Sequence, residues 1–247
     1  MFKLGHSEPF VFGIDHLKCL GESLHGQYIS AQPFPHIVIE DFLPLKDANR
    51  LLALFPRQDS TIWLDWKKRD TIHQPKKQGI GDASRLDDAP PYLQNMISAF
   101  NSYAFLNFLE KLTGINKILP DPYLHGGGLH QILSGGRLAI HTDFNDLKKL
   151  DLYRRINVLF FLNKNWKPQY NGNLELWDKD LRNCVHSIQP LFNRLVVFNT
   201  NKKSFHGHPH ALATPTNVTR KSLALYYYTA KPEDGEEYDN QTDWQVV

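Results

Sequence analysis

The chain has 247 residues, 41% hydrophobic and 22% charged, enough apolar material for one large domain or a domain with an appendage. A formal net charge of +2 gives no global attraction to nucleic acid or a membrane surface, and no apolar run approaches the roughly eighteen residues a membrane span requires. Two cysteines, Cys19 and Cys184, exclude a disulfide framework and suit a reducing compartment. The start, MFKLGHSEPFVFGID, lacks the apolar core of a secretory signal, so a soluble cytoplasmic protein is expected.

Residues 1–14 read as irregular. Asp15–Ile29 predicts a helix capped by Asp15, with Leu17, Leu20, Leu24 and Tyr28 on one face, against the poor helix formers Gly21 and Gly26. Pro33-Phe34-Pro35 breaks the chain, and His36–Glu40 predicts a short strand. Leu45–Phe55 is amphipathic and ends at Pro56. The stretch from Asp59 to Asp88 holds Trp63, Trp66 and the most basic run of the chain: Lys67, Lys68, Arg69, Lys76 and Lys77. Two readings stand for it, a solvated loop or a lid that meets an anionic substrate. Tyr92–Asn101 and Tyr103–Leu112 predict two further helices, the second stopped at Gly114, both packing outside a sheet.

From about Asp121 the period changes to 2. Strands are predicted at Leu129–Leu133, Arg137–His141, Arg155–Leu162, Asn173–Trp177, Val185–Gln189, Leu195–Phe198, Ser204–His206 and Lys221–Thr229. Short strands with frequent turn signals predict a sandwich or jelly-roll barrel with a ligand-binding mouth. Residues 1–120 would pack on this core (121–231). The acidic end, 232–247, reads as a solvating tail that Trp244 and Val246 would dock.

The chemistry centres on His141-Thr142-Asp143. Two residues apart on an extended strand, these side chains share a face. Together they make two thirds of the 2-His-1-carboxylate set that holds non-haem Fe(II) with positions left open. The pair alone is unspecific: His6-Ser7-Glu8 repeats it, and a polar pair on a half-exposed strand is the plain alternative. The third ligand must come from a strand far on in sequence. His206 and His208 share a strand face, so parity allows either. His206 is favoured because it follows the apolar strand 195–198 across a tight turn, whereas His208 is restricted by Pro209. Arg220 opens the last strand. Pointing into an apolar barrel it would need an anion, most naturally a carboxylate held in its fork; the alternative is a surface residue at a strand start.

In this order the motifs carry a resemblance. Residues 126–229 resemble the Fe(II)- and 2-oxoglutarate-dependent dioxygenases of the prolyl 4-hydroxylase-like group. The matching pieces are Gly127-Gly128-Leu129-His130, His141-Thr142-Asp143-Phe144, Arg155–Asn163, Gly172–Trp177, Pro190–Phe198, Ser204-Phe205-His206 and Arg220-Lys221-Ser222-Leu223, with Pro35–Pro44 similar to the segment leading into that fold. The resemblance implies an α+β, mainly β fold: a double-stranded β-helix (jelly-roll) barrel with supporting N-terminal helices. It implies Fe(II) held by His141, Asp143 and His206, and 2-oxoglutarate held through its distal carboxylate by Arg220. It also implies dioxygen as co-reactant, ascorbate as a supporting reductant, and succinate and carbon dioxide as co-products. The substrate would be a C–H bond of a prolyl or other protein side chain, or of a small molecule. Several relatives carry a tyrosine where this chain has Phe160-Phe161, and its hydroxyl helps hold the cosubstrate; here Asn157 or Gln131 is expected to supply that contact. Two other classes are weighed against this one. A cupin-type divalent-metal isomerase or hydrolase would have no need of Arg220, and a non-catalytic jelly-roll module would use its histidines structurally.

Overall fold

The computed structural model describes residues 9–64, 72–230 and 241–245. Its N-terminal part begins with α1 (Ile14–Ser30), which opens at Gly13 without a side-chain cap, so Asp15 lies in the first turn instead of capping it. Then come β1 (His36–Ile39), α2 (Leu45–Ala53) and β2 (Lys77–Gly79). α3 (Pro91–Phe100) starts on a proline, whose fixed φ suits a first turn, and α4 (Tyr103–Thr113) stops at Gly114. The two-residue β3 (Leu119–Pro120) closes this part.

Gly21 lies where α1 crosses α4. A Cβ there would sit 2.7 Å from the Phe108 carbonyl oxygen and 3.2 Å from the Leu112 nitrogen. The residue that weakens the helix by propensity is thus the one that lets the two backbones meet. Gly21→Val should lower stability by about 2 kcal/mol through overpacking, read as a shifted urea midpoint; an unchanged midpoint would mean that the helices separate freely.

The rest is strand: β4 (Gly128–Ile132), β5 (Leu138–Thr142), β6 (Asp146–Leu147), β7 (Leu152–Phe161), β8 (Leu174–Trp177), β9 (Cys184–Ile188), β10 (Arg194–Asn199), β11 (His206–His208), β12 (Arg220–Thr229) and β13 (Asp243–Trp244). They form two antiparallel sheets. The larger runs β1-β10-β7-β12-β4-β2, with β3 on β12 and β6 on β7; the smaller runs β13-β5-β11-β8-β9. This is the double-stranded β-helix. Its two sheets face each other, as the sandwich or jelly-roll reading of the sequence expects.

Strand parity divides the core. Leu129, Val158, Phe160, Leu195, Val197, Leu223, Leu225 and Tyr227 point to one side of the larger sheet and pack with the four helices. Phe161, Val196 and Phe198 point to the other side and meet Leu174, Leu176 and Ile188 of the smaller sheet. β1 and β2 hydrogen-bond to β10 and β4, so these two strands extend the larger sheet.

Trp244 is docked, as expected of it, and the dock is a strand pairing. Asp243 and Trp244 pair with Thr142 and His141, and the Gln245 N–H donates to the Ile140 carbonyl at 2.8 Å. Residues 232–240, Val246, Trp66, Lys67–Arg69 and His6-Ser7-Glu8 lie outside the described residues. Among the described residues no helix is long and apolar enough to cross a membrane.

Candidate metal centre and its cavity

β5 and β11 are neighbouring antiparallel strands, and their register sets His141 directly opposite His206. Asp143 follows one residue past the end of β5. The donor atoms of His141, Asp143 and His206 lie within 4.8 Å of one another. His141 Nε2 is 3.6 Å from Asp143 Oδ1, and His206 Nε2 is 3.3 Å from Asp143 Oδ2. A six-coordinate ion with bonds of about 2.1 Å separates adjacent ligand atoms by about 3 Å, so the set is close to the spacing such an ion imposes.

The rings are oriented for that task. His141 Nδ1 is 2.8 Å from the Ala139 carbonyl, and His206 Nδ1 is 2.9 Å from the Ser204 carbonyl. A nitrogen facing a carbonyl must donate, so the proton sits on Nδ1 and each Nε2 lone pair turns toward Asp143. Burial and the adjacent His206 ring lower the His141 pKa by more than Asp143 raises it, which favours the neutral, ligating form. Trp244 packs on the His141 ring at 4.7 Å and stacks on His73 at 4.8 Å, and Phe198 lies edge-on to His206.

Asp143 is held by two residues of β7. The Asn157 side-chain amide donates to Oδ2 at 2.7 Å, and Arg154 Nη2 donates to the same oxygen at 2.9 Å. Arg154 Nε also donates to Asn157 Oδ1 at 2.8 Å, locking the three together. Burial alone would raise the Asp143 carboxyl, but Arg154 and the imidazoles outweigh it and hold it well below the usual carboxylate range. Arg154 is 1% exposed and lies 3.4 Å over the Tyr226 ring. Sequence parity hid it: Ile156, Val158 and Phe160 share its parity and face the helices. The register between β12 and β7 slips by one residue between Ile156 and Arg154, and this bulge turns Arg154 to the inner face. Asn157 lines the same cavity, but its amide is engaged by Asp143 and Arg154 instead of standing free for a cosubstrate.

The cavity measures about 290 Å³ and runs between the sheets from the His141–Asp143–His206 group to Arg220. From β12 it is lined by Arg220, Ser222, Ala224 and Tyr226, one strand face. Arg220 is buried. Its Nε donates to the Gly172 carbonyl at 2.7 Å, and its guanidinium lies 4.8 Å from the centre of the Phe161 ring. Burial lowers its pKa to about 9, which leaves it cationic at neutral pH. Among the described residues no carboxylate lies within ion-pair distance of it. Gly172 has φ +76°, and a Cβ there would collide with Leu212 Cδ2 and sit 3.2 Å from Arg220 Cδ, so this turn accepts no side chain while Arg220 keeps its place.

The Gln131 expectation needs correction. Gln131 has the parity of Leu129, opposite to the cavity-lining His130 and Ile132, and does not line the cavity. Its amide donates to Gln78 Oε1 and its carbonyl accepts from Thr219 Oγ1. Of the basic run, Lys77 lines the cavity beside Gln74, while Lys76 Nζ donates to the Ser134 carbonyl.

Residues 127–228 match the model of the 2OG-Fe(II) oxygenase superfamily. Over 78 residues the chain is 27% identical to the prolyl hydroxylase EGLN3 of Mus musculus, covering 32% of this chain and 30% of that protein. Over 204 residues it is 24% identical to the prolyl 3-hydroxylase OGFOD1 of Mus musculus, covering 81% of this chain and 34% of that protein. The chain therefore spans about a third of the length of these curated relatives. Its fold is similar to that of a prolyl hydroxylase from Trichoplax adhaerens solved with a peptide fragment of the hypoxia inducible factor oxygen degradation domain. That likeness has a TM-score of 0.57 at 18% identity, over 87% of this chain and 91% of the other.

Proposed function

We propose that this chain, a 2OG-Fe(II) oxygenase of the prolyl-hydroxylase-like kind through its core segment 127–228, is an Fe(II)- and 2-oxoglutarate-dependent dioxygenase that hydroxylates a C–H bond of a prolyl or other polypeptide side chain. The observation that carries this reading is one cavity with a three-donor group at one end and an uncompensated buried guanidinium at the other. That combination fits a ligand which chelates a metal through one end and presents a carboxylate at the other. A metal isomerase leaves the buried Arg220 without purpose, and a buried charge needs one.

The donor set suits Fe(II): two neutral imidazoles and one carboxylate, each with its second atom fixed by the protein. Iron with 2-oxoglutarate and dioxygen supplies the oxidising chemistry, and succinate and carbon dioxide leave with the product. The chain itself does the positioning. Ala139 and Ser204 fix the ring tautomers, Arg154 and Asn157 aim the carboxylate, and Arg220 fixes the cosubstrate. Tyr226, Phe144 and Trp244 give the cavity an aromatic lining beside the donor group, which suits the apolar face of a prolyl ring. The relatives' names support a polypeptide substrate. The exposed, unbridged Cys19 and Cys184 support a reducing compartment such as the cytoplasm.

The test is an anaerobic titration of the Fe(II)-loaded protein with 2-oxoglutarate, watching for the weak visible metal-to-ligand charge-transfer band. A saturable band is expected. Folded, iron-loaded protein that shows none at millimolar cosubstrate would overturn the reading.

A further inference from the structure

His208 is the most isolated polar side chain near this site. It is 2% exposed, yet neither Nδ1 nor Nε2 has a hydrogen-bond partner among the described residues. Buried polar atoms in native proteins are almost always satisfied, and one left over points to an absent ligand or water. On β11 it shares a face with His206, but its register partner is Leu138, on the far side of a bulge from His141. It does not belong to the donor group of His141, Asp143 and His206. It lines the cavity together with Arg220. An imidazole can offer one ring N–H as donor and its other nitrogen as acceptor, and here both face the cavity side of β11 without a partner.

Resting on the dioxygenase reading, we propose that His208 is a cosubstrate-binding residue: one ring N–H donates to the distal carboxylate of 2-oxoglutarate, beside the Arg220 fork. The Arg220 Nε is taken by Gly172, which leaves its two Nη groups for the carboxylate. Phe161 packs on the guanidinium and has no hydroxyl to add. Asn157 and Gln131 are engaged elsewhere. Ile132 and Leu138, register partners of Arg220 and His208, supply apolar wall for the methylene carbons. His130 also has an unpartnered Nε2 in the cavity, but it pairs in register with Ser222 and is tied to the Gly126 backbone, one step away from Arg220 along the strand.

The experiment repeats the anaerobic charge-transfer titration on wild type, His208→Leu and His208→Gln. Two keto acids are used: 2-oxoglutarate, and 2-oxopentanoate, which has the same chain length without the distal carboxylate. His208→Leu should weaken 2-oxoglutarate by about ten- to a hundredfold, the worth of a hydrogen bond to a charged group. His208→Gln, which keeps a donor, should recover most of that loss. Affinity for 2-oxopentanoate and the iron stoichiometry should not change. Equal 2-oxoglutarate affinity in wild type and His208→Leu overturns the proposal and leaves the dioxygenase reading standing. Equal losses for both keto acids, or lost iron, overturn it in favour of a role at the metal. A wild type without any band removes both. Should His208→Leu not fold, wild type loaded with Zn(II) carries the test. Its ¹⁵N-histidine spectrum should gain a slowly exchanging ring N–H with 2-oxoglutarate and none with 2-oxopentanoate, and failure to gain one overturns the proposal.

Discussion

Arg220→Met should weaken 2-oxoglutarate binding by roughly a hundredfold or more, while iron binding survives. The guanidinium is buried, its Nε is fixed by Gly172 and its flat face by Phe161, so the fork is held in place before any ligand arrives. Methionine keeps most of the volume and removes the charge and both Nη donors. A second result separates this from simple damage. A buried cation with no carboxylate among the described residues carries a desolvation cost, so the metal-loaded variant without cosubstrate should melt at or above the wild-type temperature. Adding 2-oxoglutarate should then raise the melting temperature of wild type and leave that of the variant unmoved. A variant that titrates like wild type would remove Arg220 from the cosubstrate site and revive the metal-isomerase class.

Most of the architecture was legible because it rests on period-2 alternation. Leu223, Leu225 and Tyr227 alternate with Ser222, Ala224 and Tyr226, and the structure puts the first set on the helices and the second on the cavity. Pro44, Pro91 and Gly114 bound helices within a residue or two of where the sequence put their ends. His141, Asp143 and His206 come together from three positions that the sequence singled out, and Arg220 faces the cavity as the buried alternative required.

What stayed hidden has physical reasons. The Arg155 bulge leaves no mark in a single sequence, and without it parity sends Arg154 to the wrong side. Gln131 was a different failure, since Leu129 and Ile132 already show which face of β4 meets the helices and which the cavity. Trp244 reaches His141 through a strand pairing about a hundred residues away in sequence, and a two-residue strand after an acidic stretch carries no local signal. His208 was weighed as a metal ligand because strand parity is indifferent to it; what distinguishes it from His206 is register, a property of the folded pair of strands.

Arg154→Met should be the most damaging single change outside the three donors, in metal binding and in stability together. Metal affinity should fall by about ten- to a hundredfold, because Arg154 fixes Asp143 directly and again through Asn157. Metal-free protein should lose about 2–3 kcal/mol near neutral pH, since the variant leaves a largely buried carboxylate with only Asn157 and the two imidazoles beside it. The pH dependence follows from the sign of the Asp143 shift. Its pKa is depressed in the folded protein, so the pairing stabilises fully above the ordinary carboxyl value of about 3.9, and that contribution fades as pH falls toward the lower folded value. In Arg154→Met the imidazoles and Asn157 alone oppose the burial that disfavours ionisation, and protonating Asp143 costs the variant less than wild type. Urea unfolding of the two metal-free proteins should therefore show a gap that is widest at neutral pH and narrows below about pH 4. A gap that stays constant down to acid pH would mean that Arg154 stabilises through its stacking on Tyr226 alone, and the orienting role would then rest on Asn157.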